Sequence, residues 1–138
     1  MSTTYAEALE RQGVTIPPHL IADAEVPVLM GVQGQGDLLI VPSLSRVPDL
    51  QPVPDEGIQV VFGEATGNSH YLQRGFDSPG VMFARVNTGQ CLIVISVPVG
   101  QTAELIHTDE HGVNAMGPGL YAIHEKREQA DEIRRVTD

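Results

Sequence analysis

Five histidines are spread over the 138 residues, and three of them fall in two short polar stretches. The first is Gly63-Glu64-Ala65-Thr66-Gly67-Asn68-Ser69-His70, and the second is His107-Thr108-Asp109-Glu110-His111-Gly112. Imidazole nitrogens and carboxylate oxygens are the donors that divalent transition metals take. His70, His107 and His111, with Glu64 or Glu110, therefore form a candidate ligand set for Zn, Fe(II), Mn or Ni. An open coordination position on such an ion allows Lewis-acid or dioxygen chemistry. Spacing sets the condition. On a strand, Asn68 and His70 share a face about 7 Å apart. His107 and His111 stand roughly 13 Å apart on a straight strand and could not share an ion. They meet only if Thr108-Asp109-Glu110 folds as a tight turn. Otherwise the histidines end strands and bind turn backbones, with Glu64 and Glu110 in solvent.

Other chemistries fit less well. Ser69 and His70 are neighbours, and neighbouring strand residues face opposite sides, so they form no triad, and the chain has no nucleophile elbow. Gly34-Gln35-Gly36-Asp37 lacks the length, the lysine and the following helix of a phosphate-binding loop. Cys91 lies in the apolar run Cys91-Leu92-Ile93-Val94-Ile95, the setting of an inert thiol rather than a nucleophile. His19 and His124 have no ligand-like neighbours and read as surface or partner-facing.

The elements that must hold the polar stretches are short. Apolar runs of about five residues separated by Gly and Pro predict an all-β sandwich or small barrel of about seven to nine strands. Strands are expected at 38–41, 58–62, 70–73, 81–86, 91–97, 103–107 and 120–125. Turns are expected at 34–37, 77–80, 87–90 and 114–119. The prolines at 48, 52 and 54 exclude a central strand there. Residues 1–30 read as an arm and residues 31–138 as the β domain. Within the arm, Thr3 or Thr4 caps a helix over 5–12 that Gly13 stops, with Glu7 in its first turn. Tyr5, Ala8, Leu9 and Gln12 share a face. A helix this short is marginal alone, so that face must pack on the domain or on a neighbouring subunit. Tyr5, Leu9, Leu20 and Ile21 are the candidate partner-binding residues. The tail over 125–136 reads either as a charged helix or as a last hairpin with a charged edge strand.

Composition narrows the partners. Eighteen acids against eight bases give a formal charge of −10, which repels nucleic acid and anionic lipid. The basic cluster at 126–135 is interleaved with acids and reads as a solvated face. A lone cysteine excludes an internal disulfide and suits a reducing compartment. The first residues do not resemble a signal peptide, and no apolar run approaches a membrane span. The expected location is the cytoplasm, or a virion if the chain is phage-encoded. With 41% hydrophobic residues, no Trp, three Tyr and three Phe, the core must be mainly aliphatic.

The order of Gln35-Gly36-Asp37, residues 63–70, residues 107–111, Gly119-Leu120-Tyr121 and Arg134-Arg135-Val136-Thr137-Asp138 resembles a family of small uncharacterised bacterial and phage-borne β proteins. The resemblance covers roughly residues 35–138 and implies no known activity. It implies a strand in the tail. Asn68 departs from the family's second histidine, which removes one ligand from a His-x-His pair. The layout also looks like a single-barrel cupin, with metal inside a β-barrel. Two functions follow as expectations. The first is a non-catalytic structural or interaction domain that uses its arm to self-assemble or to decorate a larger, phage-like or shell-like assembly. The second is a cupin-like metal protein or metalloenzyme.

Overall fold

A computed structural model describes residues 3–13, 24–43, 49–60, 70–88, 91–108 and 112–125, with the side chains of 87 and 88 left aside. Among these residues one helix, α1 (Tyr5–Glu10), precedes eleven strands: β1 (Val28–Leu29), β2 (Gln33–Gln35), β3 (Leu38–Pro42), β4 (Gln51–Pro52), β5 (Ile58–Gln59), β6 (His70–Arg74), β7 (Met82–Thr88), β8 (Cys91–Val97), β9 (Ala103–His107), β10 (Gly112–Met116) and β11 (Gly119–Glu125). They form two sheets, one in the order β1-β10-β9-β6-β5 and the other in the order β2-β3-β11-β8-β7-β4. The protein is an all-β sandwich with a short N-terminal helix.

Period-two alternation builds the core. Leu38 and Ile40 of β3, Ile93 and Ile95 of β8, and Tyr121 and Ile123 of β11 face Leu72 of β6 and Ala103 and Leu105 of β9 across the gap between the sheets. The Tyr121 hydroxyl donates to the Gly117 carbonyl at 2.8 Å, which makes its burial tolerable. Pro52 sits on β4, at the sheet edge, where a missing N–H does least harm.

All five residues of β9 are buried, on both faces of its sheet. Ala103 and Leu105 fill the gap between the sheets, while Ile106 points outward under α1 with Val113 and Ala115 of β10. Ala8 and Leu9 of the helix complete that outer cluster, with Tyr5 and Tyr71 packed against it. The helix begins with a capping box: the Glu7 N–H donates to the Thr4 side chain, and the Glu7 carboxylate accepts from the Thr4 N–H. Six residues form too short a helix to persist unaided, so this cluster holds it. Of the two surfaces its apolar face could have met, that face covers the chain's own sheet.

The expected strands over 38–41, 70–73, 81–86, 91–97, 103–107 and 120–125 are present within a residue or two. Four expectations are corrected. Eleven strands are described rather than seven to nine, because short pieces such as β1, β4 and β5 pair at the sheet edges, and the turn expected at 87–90 starts later, because β7 runs through Thr88. The stretch 114–119, read as a turn, is strand through Met116 because β10 pairs with β9 on one side and β1 on the other. The turn at 34–37 is confined to Gly36 and Asp37, since Gln33–Gln35 pairs with β3 as β2. The tail over 126–138, and with it the choice between helix and hairpin, lies outside the described residues.

Candidate functional site: a stacked histidine pair under a glutamine clamp

His70 opens β6 and His107 closes β9, and the antiparallel register makes them direct partners. Their rings stack with centroids 4.2 Å apart and planes 5° from parallel. Both are buried, at 1% and 8% exposure. They share a parity with Leu72 and Leu105, so they lie on the core-facing side, at the end of the gap between the sheets.

The residue that orients them comes from the other sheet. Gln35 donates from Nε2 to the Leu105 carbonyl at 2.7 Å and to Asn114 Oδ1 at 2.8 Å, and its Oε1 lies 2.9 Å from His70 Nδ1. Asn114 in turn donates to Gln33 Oε1 at 3.2 Å, and Gln33 donates to the Ala115 carbonyl at 2.9 Å. The backbone carbonyls can only accept, so they fix every amide in the chain of bonds. Gln35 Oε1 must then accept, and His70 carries its proton on Nδ1. Gly36 closes the site: with φ at +55°, it brings its backbone so near that an added Cβ would stand 3.1 Å from His107 Cε1 and 3.2 Å from His70 Nε2. Gln33 and Gln35 thus seal one open side of the sandwich.

This arrangement constrains metal chemistry. An imidazole binds a metal along its nitrogen lone pair, in the ring plane, at about 2.0–2.1 Å for zinc. Two parallel stacked planes have no point lying in both, so His70 and His107 must rotate out of the stack before they can share an ion. Among the described residues, no three His, Cys, Asp or Glu side chains gather as a metal-binding group. Four residues that bear on the expected site, Glu64, Asn68, Glu110 and His111, lie outside the described residues. Gly112 pairs with His107, while the turn expected at Thr108-Asp109-Glu110 lies, beyond Thr108, outside the described residues.

Of the candidate partner-binding residues, Leu9 is fully enclosed by its own chain and Tyr5 is half-buried against the same cluster. Leu20 and Ile21 lie outside the described residues. His124 is half-buried on β11, opposite Leu39 and Cys91. Cys91 is half-buried too, and burial pushes its thiol above the ordinary range, the opposite of an activated nucleophile.

A second polar cluster lies beneath α1. Glu104, 1% exposed, accepts from Gln73 Nε2 at 2.5 Å, and Arg11 Nη1 approaches it to 3.7 Å. Gln73 also donates to the Ala8 carbonyl and accepts from Gln12, which ties the helix to β6. Burial raises the Glu104 carboxyl above the usual range, opposed by its hydrogen bonds to Gln73 and Thr3 and by the charge of Arg11. Sequence reading singled out His70 and His107 but passed over Gln33, Gln35 and Asn114 as site residues, and Gln73 and Glu104 in the second cluster. The available signal was a glutamine, or a glutamate among aliphatics, at an inward-facing or doubly covered strand position.

A family model described as Domain of unknown function (DUF8820) matches residues 34–126, from β2 to just past β11. No curated protein and no solved structure matches the chain. Among the described residues, no helix is long and apolar enough to cross a membrane.

Proposed function

Because the chain belongs to the family described as Domain of unknown function (DUF8820), which carries no activity to inherit, we propose from its surface that it is a non-catalytic interaction domain whose N-terminal arm makes the contact. One observation carries this reading. Val28, Leu29, Met30 and Val32 are 48%, 49%, 63% and 62% exposed, four exposed apolar residues in a short run, two of them on β1 at the edge of the five-stranded sheet. Single exposed apolar residues are ordinary, but a run of them at a sheet edge favours an association surface. The helix has a different part: it anchors the arm to the sheet and so fixes where the run emerges. The sequence expectation placed the contact on Tyr5, Leu9, Leu20 and Ile21 of the arm; the proposal places it on residues 28–32, where the arm meets the β domain.

The test is the mass of untagged full-length protein by light scattering over a wide concentration range, alongside a Leu29→Ser, Val32→Ser double variant. A mass above the monomer that falls in the variant supports the reading. A wild-type mass that stays monomeric at every concentration overturns it. Deleting residues 1–30 is not a clean test, because that would strip Leu9 and Ala8 from the sheet they cover.

A second, cupin-like reading has its own observation, the direct pairing of His70 with His107. Elemental analysis of the same untagged protein tests it. Near-stoichiometric Zn, Fe, Mn or Ni that is lost in His107→Ala supports a metal centre, and metal content unaffected by that change sinks it.

A further inference from the structure

We propose that the partner at the arm is a second copy of this chain, joined edge to edge through antiparallel pairing of β1 with its counterpart across a two-fold axis. The inference rests on the interaction reading above and adds the occupant and its register.

The backbone sets the register. In a strand, the N–H and C=O of one residue point to the same side, and those of the next point to the other. The Leu29 carbonyl accepts from the Gly117 N–H at 3.1 Å, so Leu29 faces β10. Val28 and Met30 therefore direct their N–H and C=O groups to the open edge. Pro27 shares the parity of Leu29, so the donor it lacks is on the β10 side and the outer edge keeps its own. One step earlier, on that same outer side, the chain already pairs with itself. The Val26 N–H donates to the Thr3 carbonyl, and the Tyr5 N–H donates to the Ala24 carbonyl. Among the described residues, this covers the edge as far as Val26 and leaves a window from Val28 to Met30.

A second copy carries the complementary backbone groups for that window. With the axis at Leu29, Val28 of one copy exchanges hydrogen bonds with Met30 of the other, and the symmetric pair does the same. The two Leu29 residues face each other as a non-hydrogen-bonded pair, and the sheet runs on through both molecules. Charge favours this occupant. The protein carries −10, yet residues 26–36 contain no charged side chain. A basic partner would find nothing to neutralise here, whereas two anionic copies meet where their repulsion is least.

Area supports a wider contact than the strand alone. A stable dimer buries roughly 800 Å² per partner, more than four side chains can expose. Val28 and Met30 lie over Gly117, and Pro118 beside it opens a cleft of about 480 Å³ with Val97, Pro98, Val99 and Leu120. Val99 is 91% exposed there. This cleft supplies adjoining apolar surface.

The experiment is disulfide trapping in full-length protein with oxidised glutathione. In the proposed register the Leu29 Cα atoms stand about 4.5 Å apart across the axis, within the span of a disulfide. Leu29→Cys is expected to cross-link rapidly, and Glu56→Cys, exposed in the turn before β5 at the sheet's opposite edge, is not. Met30→Pro removes an outward N–H while keeping the surface apolar, and is expected to weaken the dimer about tenfold or more. Raising the salt concentration should tighten the dimer by screening the repulsion of like-charged copies. If Leu29→Cys cross-links no faster than Glu56→Cys while the wild type exceeds monomer mass, edge pairing is overturned and the interaction reading survives. A wild type that is monomeric throughout overturns both.

Discussion

Replacing Gly36 by alanine tests the closed histidine site directly, because two separable effects act there. Gly36 has φ at +55°, a region that costs an L-residue about 1–2 kcal/mol. The new methyl would also stand 3.1–3.2 Å from the edges of His107 and His70, so the rings must give way by a few tenths of an ångström. They have little freedom to do so, since they stack on each other at 4.2 Å and Gln35 holds His70. Crowding of this kind adds about 1–3 kcal/mol, for a total near 3 kcal/mol, or roughly 10 °C in Tm for a domain of this size. Gly100 and Gly13 provide the controls. Their φ values are +80° and +71°, and nothing stands within 4 Å of an added Cβ at either. Alanine at those positions should show the backbone penalty alone, about 1 kcal/mol. Urea denaturation of the three variants gives the comparison, and imidazole C–H resonances should move in Gly36→Ala and not in the controls. Equal losses in all three, with unmoved histidine resonances, would refute the placement of the rings beneath Gly36.

Leu9→Ala is expected to cost about 2–5 kcal/mol, since Leu9 is fully buried against Ile106 and Val113. Amide exchange in α1 should accelerate at the same time, and a variant as stable as wild type would show that the helix does not dock on its own sheet. Glu104→Gln tests which force governs the buried carboxyl. Its folded-state value is raised by burial, so the native state holds the proton more tightly than the unfolded chain does. Stability contributed by this group therefore falls as pH rises from the ordinary carboxyl value through the raised one, and levels off above it. Wild type measured against Glu104→Gln should lose ground over that window. A difference that moves the other way would mean that Arg11 and the hydrogen-bond donors outweigh burial.

The sandwich was legible where alternation is strong. Residues 38–41, 91–97 and 103–107 carry enough aliphatic side chains to fix both strand and face, and the Thr4 and Glu7 cap announced the helix. What alternation cannot state is which strand lies opposite. Local spacing compared His107 with His111, whereas the stacked pair is set by the register of β6 on β9, which joins residues 37 positions apart. Strand β10 was hidden for a related reason. Gly112 and Asn114 weaken its intrinsic preference, and it forms because β9 and β1 flank it while α1 covers Val113 and Ala115.

The glutamines carry the more general lesson. Gln33 and Gln35 stand two apart, directly before a glycine turn, so they must share a face. On an edge strand of a sandwich that face is either solvent or the seam between the sheets. The hairpin alone asks residue 36 for a positive φ, and the seam adds a second demand, because the chain passes close to the histidine that Gln35 binds and a side chain there would crowd it. A Gln-x-Gln-Gly sequence ahead of a strand can therefore be read as an amide clamp with a glycine lid. Here it points across the sandwich to the histidine that Gln35 holds.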